Sequence, residues 1–304
     1  MSKIKLKSPF PWFGGKSRVA DIIWSGFGEL SNYVEPFAGS LAVLLANPFI
    51  PKIETVNDKD CFLSNFWRAV SIDPEGVAKY SIYPIHEADL HARRKWLLSE
   101  ATTEFHNKMN SDPDFYDLKI AGWWVWCMGA SIGSSWLSSK ETNSLPALST
   151  AGGGIHGLTH QVLDWFKLLQ ERTKRTRVCC GDWTRVVKPA IICDNKGLSN
   201  KDITGVFLDP PYDYKGRDKV YREENNIFSD VCRWAIANGD DPRLRIVLCG
   251  YEGACYIPDT WKVHEWKSNG GFGNLANDRG KANASKERIY FSPYCFNVNN
   301  IDEK

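Results

Sequence analysis

The stretch VFLDPPYDY at residues 206–214 places an acid, two prolines and a tyrosine directly after an apolar run. Residues 206–208 have the continuous hydrophobic character of a strand buried on both faces of a parallel sheet. Two successive prolines cannot continue a hydrogen-bonded ladder, so the strand must end in a stiff, extended exit. Ligands bind outside the carboxyl ends of strands in open α/β sheets, where Asp209 would present a carboxylate and Tyr212 a flat ring. A strand followed by a purely structural Pro-Pro turn explains these residues equally well.

Two segments near the start of the chain have the pattern of strand, turn and helix. NYVEPFAGSLAVLLANP predicts a short strand, a turn at residues 36–39 and an apolar helix. KIETVNDKDCFLSNFWRAV predicts a strand at residues 53–56, a polar turn at 57–58 and an amphipathic helix. This spacing, with an acid closing the second strand, is typical of a nucleotide-binding βαβ unit. Before it, FPWFGGKSR indicates a flexible loop that leads into a helix.

Length and composition allow one large α/β domain with an insertion, or two modest domains. The chain has 304 residues, of which 43% are hydrophobic, and its 13 tryptophans exceed what a core alone requires. The formal net charge of +2 argues neither for nor against a nucleic-acid partner. Local excess of positive charge is nevertheless visible in residues 1–18, in QERTKRTRV and in residues 279–288. Some of the tryptophans are therefore expected to offer stacking surfaces.

Several classes of protein are excluded by simple patterns. No apolar run approaches 18 residues, so we expect no membrane span, and the basic MSKIKLKSPF has no hydrophobic region of a secretion signal. The nine cysteines form no C-x-x-C pair, and their odd number favours reduced thiols in a cytoplasm. The six histidines show no ligand spacing with neighbouring carboxylates, so we expect no metal.

The β/α rhythm is interrupted between residues 74 and 170. This part contains a charged helical stretch, HEADLHARRKWLLSE, an aromatic one, IAGWWVWCMGASIG, and a polar, glycine-rich loop. Alternation is expected to resume at TRVVKPA, residues 184–190, followed by strands in GVFLDPPY, RIVLCG and ERIYFSPYCF and a helix in FSDVCRWAIANG. We therefore predict one α/β domain formed by residues 1–73 and 171–304, and a largely helical insertion at 74–170 that has a task of its own.

Five motifs occur in an order that resembles a known family. PWFGGK, VEPFAGS, ETVNDKD, CCGDW and DPPY follow one another as they do in the Dam-like, α-group N(6)-adenine-specific DNA methyltransferases. The resemblance covers residues 10–70 and 175–295 approximately. It implies a Rossmann-like fold with a mixed, mostly parallel sheet, S-adenosyl-L-methionine as cofactor and double-stranded DNA as partner. One departure is Leu41, where the family often has a second glycine, and it leaves the path of that turn open.

The resemblance also implies roles for individual residues. Trp12 and Lys16 would contact the methionine end of the cofactor, and Asp58 would hold its ribose hydroxyls. The turn beneath the cofactor would be formed by Glu35, Pro36, Phe37, Ala38, Gly39 and Ser40. Asp182, with Trp183 beside it, would bind the adenine of the cofactor. The catalytic loop would consist of Asp209, Pro210, Pro211 and Tyr212, with Asp209 also close to the methionine moiety.

The DPPY loop has a chemistry that suits methylation of an amino group. The adenine amino nitrogen is a poor nucleophile because its lone pair is delocalised into the ring. The Asp209 carboxylate and the Pro210 carbonyl can accept both amino hydrogens and so restore that lone pair, and the prolines keep these acceptors rigid. Tyr212 can pack against a base that has been flipped out of the duplex.

Each of these residues also has a plainer explanation. Trp12 can belong to the core, Glu35 can cap a helix, Gly39 and Asp58 can be turn residues, and Asp182 can belong to an ordinary Gly-Asp turn. The tryptophans of residues 123–126 are more readily explained as a buried helix.

Candidate DNA contacts are predicted from residue type and from their place in the insertion or in a late polar loop. Basic side chains would bind phosphates, and Asn or Arg in loops would read base edges. These candidates are Arg93, Arg94, Lys95, Asn143, Asn274 and Arg279. Arg93, Arg94 and Lys95 are otherwise explained as a solvated helix face.

The expected function is site-specific methylation of adenine in duplex DNA, in the cytoplasm of a bacterial cell or a phage-infected host. Amino-cytosine or RNA adenine methylation by the same fold, and a non-catalytic DNA-binding relative, are the alternatives. The sequence leaves open the recognition site, an accompanying restriction enzyme, as in restriction-modification systems, and the oligomeric state, for which a monomer on DNA is compatible.

Overall fold

A computed structural model describes most of the chain. The described residues are 6–12, 14–100, 102–112, 114–131, 145–147, 154–157, 161–194, 196–199, 201–211, 227–266 and 287–298. The helices in them are α1 (Ala20–Phe27), α2 (Ala42–Leu45), α3 (Cys61–Ile72), α4 (Pro74–Ser81), α5 (Glu87–Glu100), α6 (Thr103–Ser111), α7 (Leu118–Ala130), α8 (Val162–Thr173), α9 (Pro189–Ile192) and α10 (Phe228–Asn238). The strands are β1 (Asn32–Glu35), β2 (Ile53–Asp58), β3 (Thr176–Cys180), β4 (Thr204–Leu208), β5 (Leu244–Tyr251), β6 (Lys262–Glu265) and β7 (Glu287–Phe291).

Aspartate caps explain where several helices begin. The side chain of Asp60 accepts hydrogen bonds from the amides of Phe62 and Leu63 at the start of α3. Asp73 caps α4 in the same way, and Pro74 occupies the first helical position, where a missing amide costs nothing. Asp117 caps α7 through the amide of Ile120. Such caps satisfy amides that have no partner inside the helix.

The strands form one mixed sheet in the order β3-β2-β1-β4-β5-β7-β6. Neighbouring strands from β3 to β5 are parallel, whereas β7 is antiparallel to both β5 and β6. The predicted mixed, mostly parallel Rossmann-like sheet is therefore confirmed. The strand order reverses between β1 and β4, which makes the carboxyl ends of these two strands the topological switch point.

The sheet is covered on both faces, as a parallel sheet requires. Along β4, Phe207 points into the larger core with α1, α3 and α7, while Val206 and Leu208 point into the smaller core with α10. Side chains alternate between faces because a strand has a period of two. Strand β4 is consequently buried along its whole length, which places its exit at a fixed depth in the molecule.

The segment TRVVKPA does not form the predicted strand. A 3₁₀ turn occupies Trp183–Arg185 and α9 begins at Pro189, while the strand at this place in the fold is β3 at Thr176–Cys180. Val186 and Val187 are buried, but they pack into the smaller core instead of joining a ladder. The apolar pair therefore correctly indicated burial, but the strand predicted from it is absent. The strands and helix predicted downstream correspond to β4, α10, β5 and β7.

The helices α4 to α8 come from the predicted insertion and pack beside α3. Their buried side chains belong to the same hydrophobic core as α3 and the sheet. Within it, Trp124 and Trp126 of α7 are completely buried, and the Trp124 ring lies 4.8 Å from that of Phe10. The tryptophan cluster is therefore a packing element, and it supports the segment that precedes the first helix.

Candidate functional site

The carboxyl ends of β1 and β4 bring two acids to the switch point. Glu35 is the last residue of β1 and is 2% exposed. Asp209 follows β4 directly, and its side chain is 19% exposed. Pro210 is buried and Pro211 is half-buried, so the chain leaves the sheet edge in close contact with the protein. Tyr212, the last residue of the predicted catalytic loop, lies outside the described residues.

A glycine turn brings Lys16 into contact with Asp209. The amide of Gly15 donates to the carbonyl of Trp12 at 3.1 Å, and Gly14 has a φ of +67°, which suits the third position of a type II turn. Lys16 Nζ then donates to the carbonyl of Gly14 at 2.6 Å and to Asp209 Oδ2 at 2.8 Å. Its side chain is 2% exposed, so the GGK motif places a buried cation next to the predicted catalytic carboxylate.

The turn after β1 is closely packed against Trp12. Gly39 has a φ of +45°, and a Cβ atom at this position would lie 2.4 Å from the Trp12 indole nitrogen. Only glycine avoids both the backbone strain and the clash. Leu41 also adopts a left-handed conformation, with a φ of 56°, and its side chain is fully buried. The turn thus keeps a conformation suited to glycine at residue 41 although a leucine occupies the position.

Asp58 organises this turn through both of its carboxylate oxygens. The amide of Gly39 donates to Oδ2 and the amide of Asp60 donates to Oδ1, each at 3.0 Å. Burial raises the pKa of Asp58 to about 6, although these backbone hydrogen bonds oppose the shift. Each carboxylate oxygen has a second lone pair, so the turn role and hydroxyl binding are compatible.

Asn57 is a residue of this site that sequence reasoning missed. Its Nδ2 donates to the carbonyls of Pro36 and Gly181, each at 3.0 Å. It therefore ties the turn after β1 to the turn after β3. The position of Asn57 next to Asp58 in VND could have indicated a site residue. Nothing in the sequence, however, places Pro36 and Gly181 on either side of its side chain.

Asp182 and Trp183 follow β3 and differ sharply in exposure. Asp182 is exposed, and its carboxylate accepts from the amide of Thr184 at 3.0 Å and from the Thr184 hydroxyl. Trp183 is 6% exposed, and its ring lies 5.9 Å from that of Phe37, at an interplanar angle of 33°. An exposed carboxylate therefore lies next to a pair of aromatic rings.

Glu35 has an electrostatic environment that disfavours its charge. Burial raises the pKa of Glu35 to about 8, and the nearby Asp209 carboxylate adds to this shift. The Tyr33 hydroxyl, which donates a hydrogen bond to Oε2 at 3.0 Å, opposes it. An incoming cation would reverse this balance, because an opposite charge favours the carboxylate. The site is thus suited to a ligand with a positively charged group.

The expected solvated face at residues 93–95 requires correction. Arg93 and Arg94 are 6% and 7% exposed, and Lys95 alone of the three is exposed. The Arg93 guanidinium lies 4.3 Å from the Tyr83 ring centroid and 4.2 Å from that of Trp126. Cation–π contacts and apolar packing hold it inside the protein, which leaves little surface for a phosphate.

Other predicted contacts fall outside the described part of the chain, namely Asn143, Asn274 and Arg279. Within the part described, no three His, Cys, Asp or Glu side chains are grouped in a way that could hold a metal ion. The described helices include none long and apolar enough to cross a membrane.

A comparison with protein families agrees with this geometry. Residues 12–146 match the family model of the D12 class N6 adenine-specific DNA methyltransferases. The matched range includes Trp12, Lys16, the turn after β1 and Asp58, while Asp182 and Asp209 lie beyond it. No curated protein matches the chain. The match covers less than half of the chain and shows that residues 12–146 are similar to the D12 class N6 adenine-specific DNA methyltransferases.

Proposed function

We propose that the protein transfers the methyl group of S-adenosyl-L-methionine to the exocyclic amino group of an adenine flipped out of duplex DNA. The observation that carries the proposal is the meeting of Asp209 and Glu35 at the switch point, next to the turn that holds Asp58. The groups that we propose for catalysis, for the methyl donor and for its adenine ring would thereby act at one edge of the sheet. The helices of residues 74–170, with the loops among them, would form the target-recognition part.

The residues present fit this cofactor. Glu35 is a buried carboxylate that a positive charge would stabilise, which suits the methionine ammonium. Asp58 has lone pairs for ribose hydroxyls, and Asp182 can accept from an adenine amino group beside Phe37 and Trp183. Pro36, Ala38 and Ser40 complete the buried turn below. When bound, the cofactor supplies an electrophilic methyl group.

The chain's own residues would prepare the acceptor. The Asp209 carboxylate and the Pro210 carbonyl would each accept one hydrogen of the adenine amino group, which localises the nitrogen lone pair. Both acceptors follow a fully buried strand, and Pro210 and Pro211 restrict the backbone between them. Tyr212 would pack against the extruded base.

The test is methyl transfer from labelled S-adenosylmethionine to duplex DNA, with detection of N6-methyladenine in the digested product. We expect transfer by the wild type and a loss of about 10²–10³-fold or more in Asp209→Ala, because a hydrogen-bond acceptor of the transition state is removed. Unchanged unfolding of the variant would exclude a folding defect.

The same assay distinguishes the alternatives. Label found on cytosine, or on RNA in preference to DNA, would show that the methyl acceptor is not adenine in duplex DNA. Retention of DNA without any transfer would indicate a binding protein, and near-full activity of Asp209→Ala would remove Asp209 from the chemistry.

A further inference from the structure

Lys16 is a buried cation whose partner is the predicted catalytic carboxylate. The two residues are separated by 193 positions, yet Lys16 Nζ lies 2.8 Å from Asp209 Oδ2. The lysine side chain is 2% exposed, whereas that of Asp209 is 19% exposed. The ammonium therefore approaches the carboxylate from the protein interior, and the carboxylate retains its access to solvent.

The environment keeps Lys16 charged. Burial by itself lowers the pKa of a lysine, but Asp209, Cys249 and Glu287 together outweigh burial here and hold the Lys16 pKa well above its ordinary value. The other titratable groups that act on Lys16 are Cys249 on β5 and Glu287 on β7, and Glu35 on β1 acts on Asp209. Among these neighbours, Lys16 is the cation that offsets the negative charge of Asp209.

The polypeptide around Lys16 is built to hold it in this place. The turn that the Gly15 amide closes precedes the lysine, and the Gly14 carbonyl accepts a second hydrogen bond from Nζ at 2.6 Å. Trp12, at the start of the turn, packs against Gly39, and the preceding Phe10 packs on α7. A lysine used only as a cofactor ligand would not need its ammonium bound to Asp209.

We propose that Lys16 is the positioning residue of Asp209, which binds one oxygen of this carboxylate so that the other faces the adenine amino group. This inference rests on the proposed function and assigns Lys16 a role different from the cofactor contact that the family resemblance implies. A correctly rotated acceptor is needed before substrate arrives, because reorientation during the reaction would raise the barrier.

The experiment compares Lys16→Met with Lys16→Arg in single-turnover methyl transfer at pH 7 with saturating DNA and S-adenosylmethionine. Methionine removes the charge and the hydrogen-bond donor at similar volume, so we expect the transfer rate to fall about 10²–10³-fold. Lys16→Arg keeps a charged donor and should lose less of the rate.

Calorimetric binding of S-adenosylmethionine separates this role from direct cofactor binding. We expect the Kd of Lys16→Met to change by less than about threefold, since the positioned group is Asp209. A wild-type rate at saturation with a Kd raised tenfold or more would overturn the proposal.

Two further proteins keep the result interpretable. If Lys16→Met does not fold, Lys16→Gln is neutral but can still donate hydrogen bonds, and its transfer rate must also fall below that of the wild type. In an Asp209→Asn background the Lys16 substitution should leave the residual rate unchanged. Failure of wild-type transfer would refute the proposed function, whereas wild-type transfer rates in the Lys16 variants would refute this inference alone.

Discussion

Lys16 and Arg93 are both buried cations, but the protein accommodates them in different ways. Lys16 lies at the edge of the sheet and is paired with a carboxylate at 2.8 Å. Arg93 lies in the helical layer, where aromatic rings surround it and the nearest carboxylate oxygen, from the half-exposed Asp89, is 3.4 Å away. A carboxylate next to a buried ammonium is held in one charge state, whereas rings supply packing and no acceptor. Burial of a cation therefore indicates function only when its partner can take part in chemistry.

The helical layer should respond to loss of Arg93 through stability. We expect Arg93→Ala to lower the free energy of unfolding by about 2–4 kcal/mol, because packing and cation–π contacts with three aromatic rings are lost. Denaturant unfolding measures the effect. Arg93→Met, which keeps much of the volume, should lose less.

The salt dependence of DNA binding is the second readout for the same pair of variants. Its slope should match that of the wild type, because a buried guanidinium neutralises no phosphate. Wild-type stability together with a reduced slope would return Arg93 to the DNA interface and remove the contrast with Lys16.

The backbone at Leu41, at the edge of the sheet, is in a left-handed conformation, and two substitutions can measure its strain. Leu41→Ala should cost about 2–5 kcal/mol as the buried side chain is lost, while Leu41→Gly also relieves about 1–2 kcal/mol of left-handed strain. We therefore expect the glycine variant to be the more stable of the two in thermal unfolding. The opposite order, normal for most sites, would show that the left-handed turn carries no strain.

Glu35 should make cofactor binding depend on pH. Its pKa is raised to about 8 by burial, so the empty site holds a neutral carboxyl group at lower pH, and binding of an ammonium must release that proton. The affinity for S-adenosylmethionine should rise by up to about tenfold per pH unit from roughly pH 6 towards pH 8. Calorimetry with Glu35→Gln as control subtracts the titration of the ligand's own amino group. Parallel curves for both proteins would contradict the role of Glu35.

Lys95 should give the smallest effect. This exposed side chain remains a candidate phosphate contact beside the buried Arg93 and Arg94. Lys95→Ala should reduce the slope of log K against log salt by about 0.9, the value for one phosphate. Lys167 on α8, which forms an ion pair with Glu75 at 2.8 Å, provides the matched control. Its alanine variant should retain the slope of the wild type. Equal slopes for both variants would remove Lys95 from the interface.

Local patterns in the sequence predicted the ends of β1 and β4 well, because hydrophobic period and proline act within a few residues. The predicted turn at residues 57–58 was wrong, since β2 continues through Asp58 by pairing with β3. Contacts between distant residues could not be read in this way. The pairing of Lys16 with Asp209 depends on the order of strands in the sheet, and no spacing in the sequence encodes it.

The helical layer was harder to predict for a different reason. HEADLHARRKWLLSE is so rich in charge that a solvated face is the natural interpretation, yet Arg93 and Arg94 are buried. Burial of these side chains follows from the aromatic residues of α7 and from Tyr83, which approach only after the helices pack. Residue type alone cannot reveal that arrangement.

The pairing of Lys16 with Asp209 has a consequence for how the protein is made. The ribosome adds Lys16 long before it adds Asp209, and a buried ammonium without its counterion is unfavourable. The contact that fixes the Lys16 side chain therefore cannot form until the residue after β4 has been synthesised. Incomplete nascent chains that end before Asp209 consequently lack this ion pair.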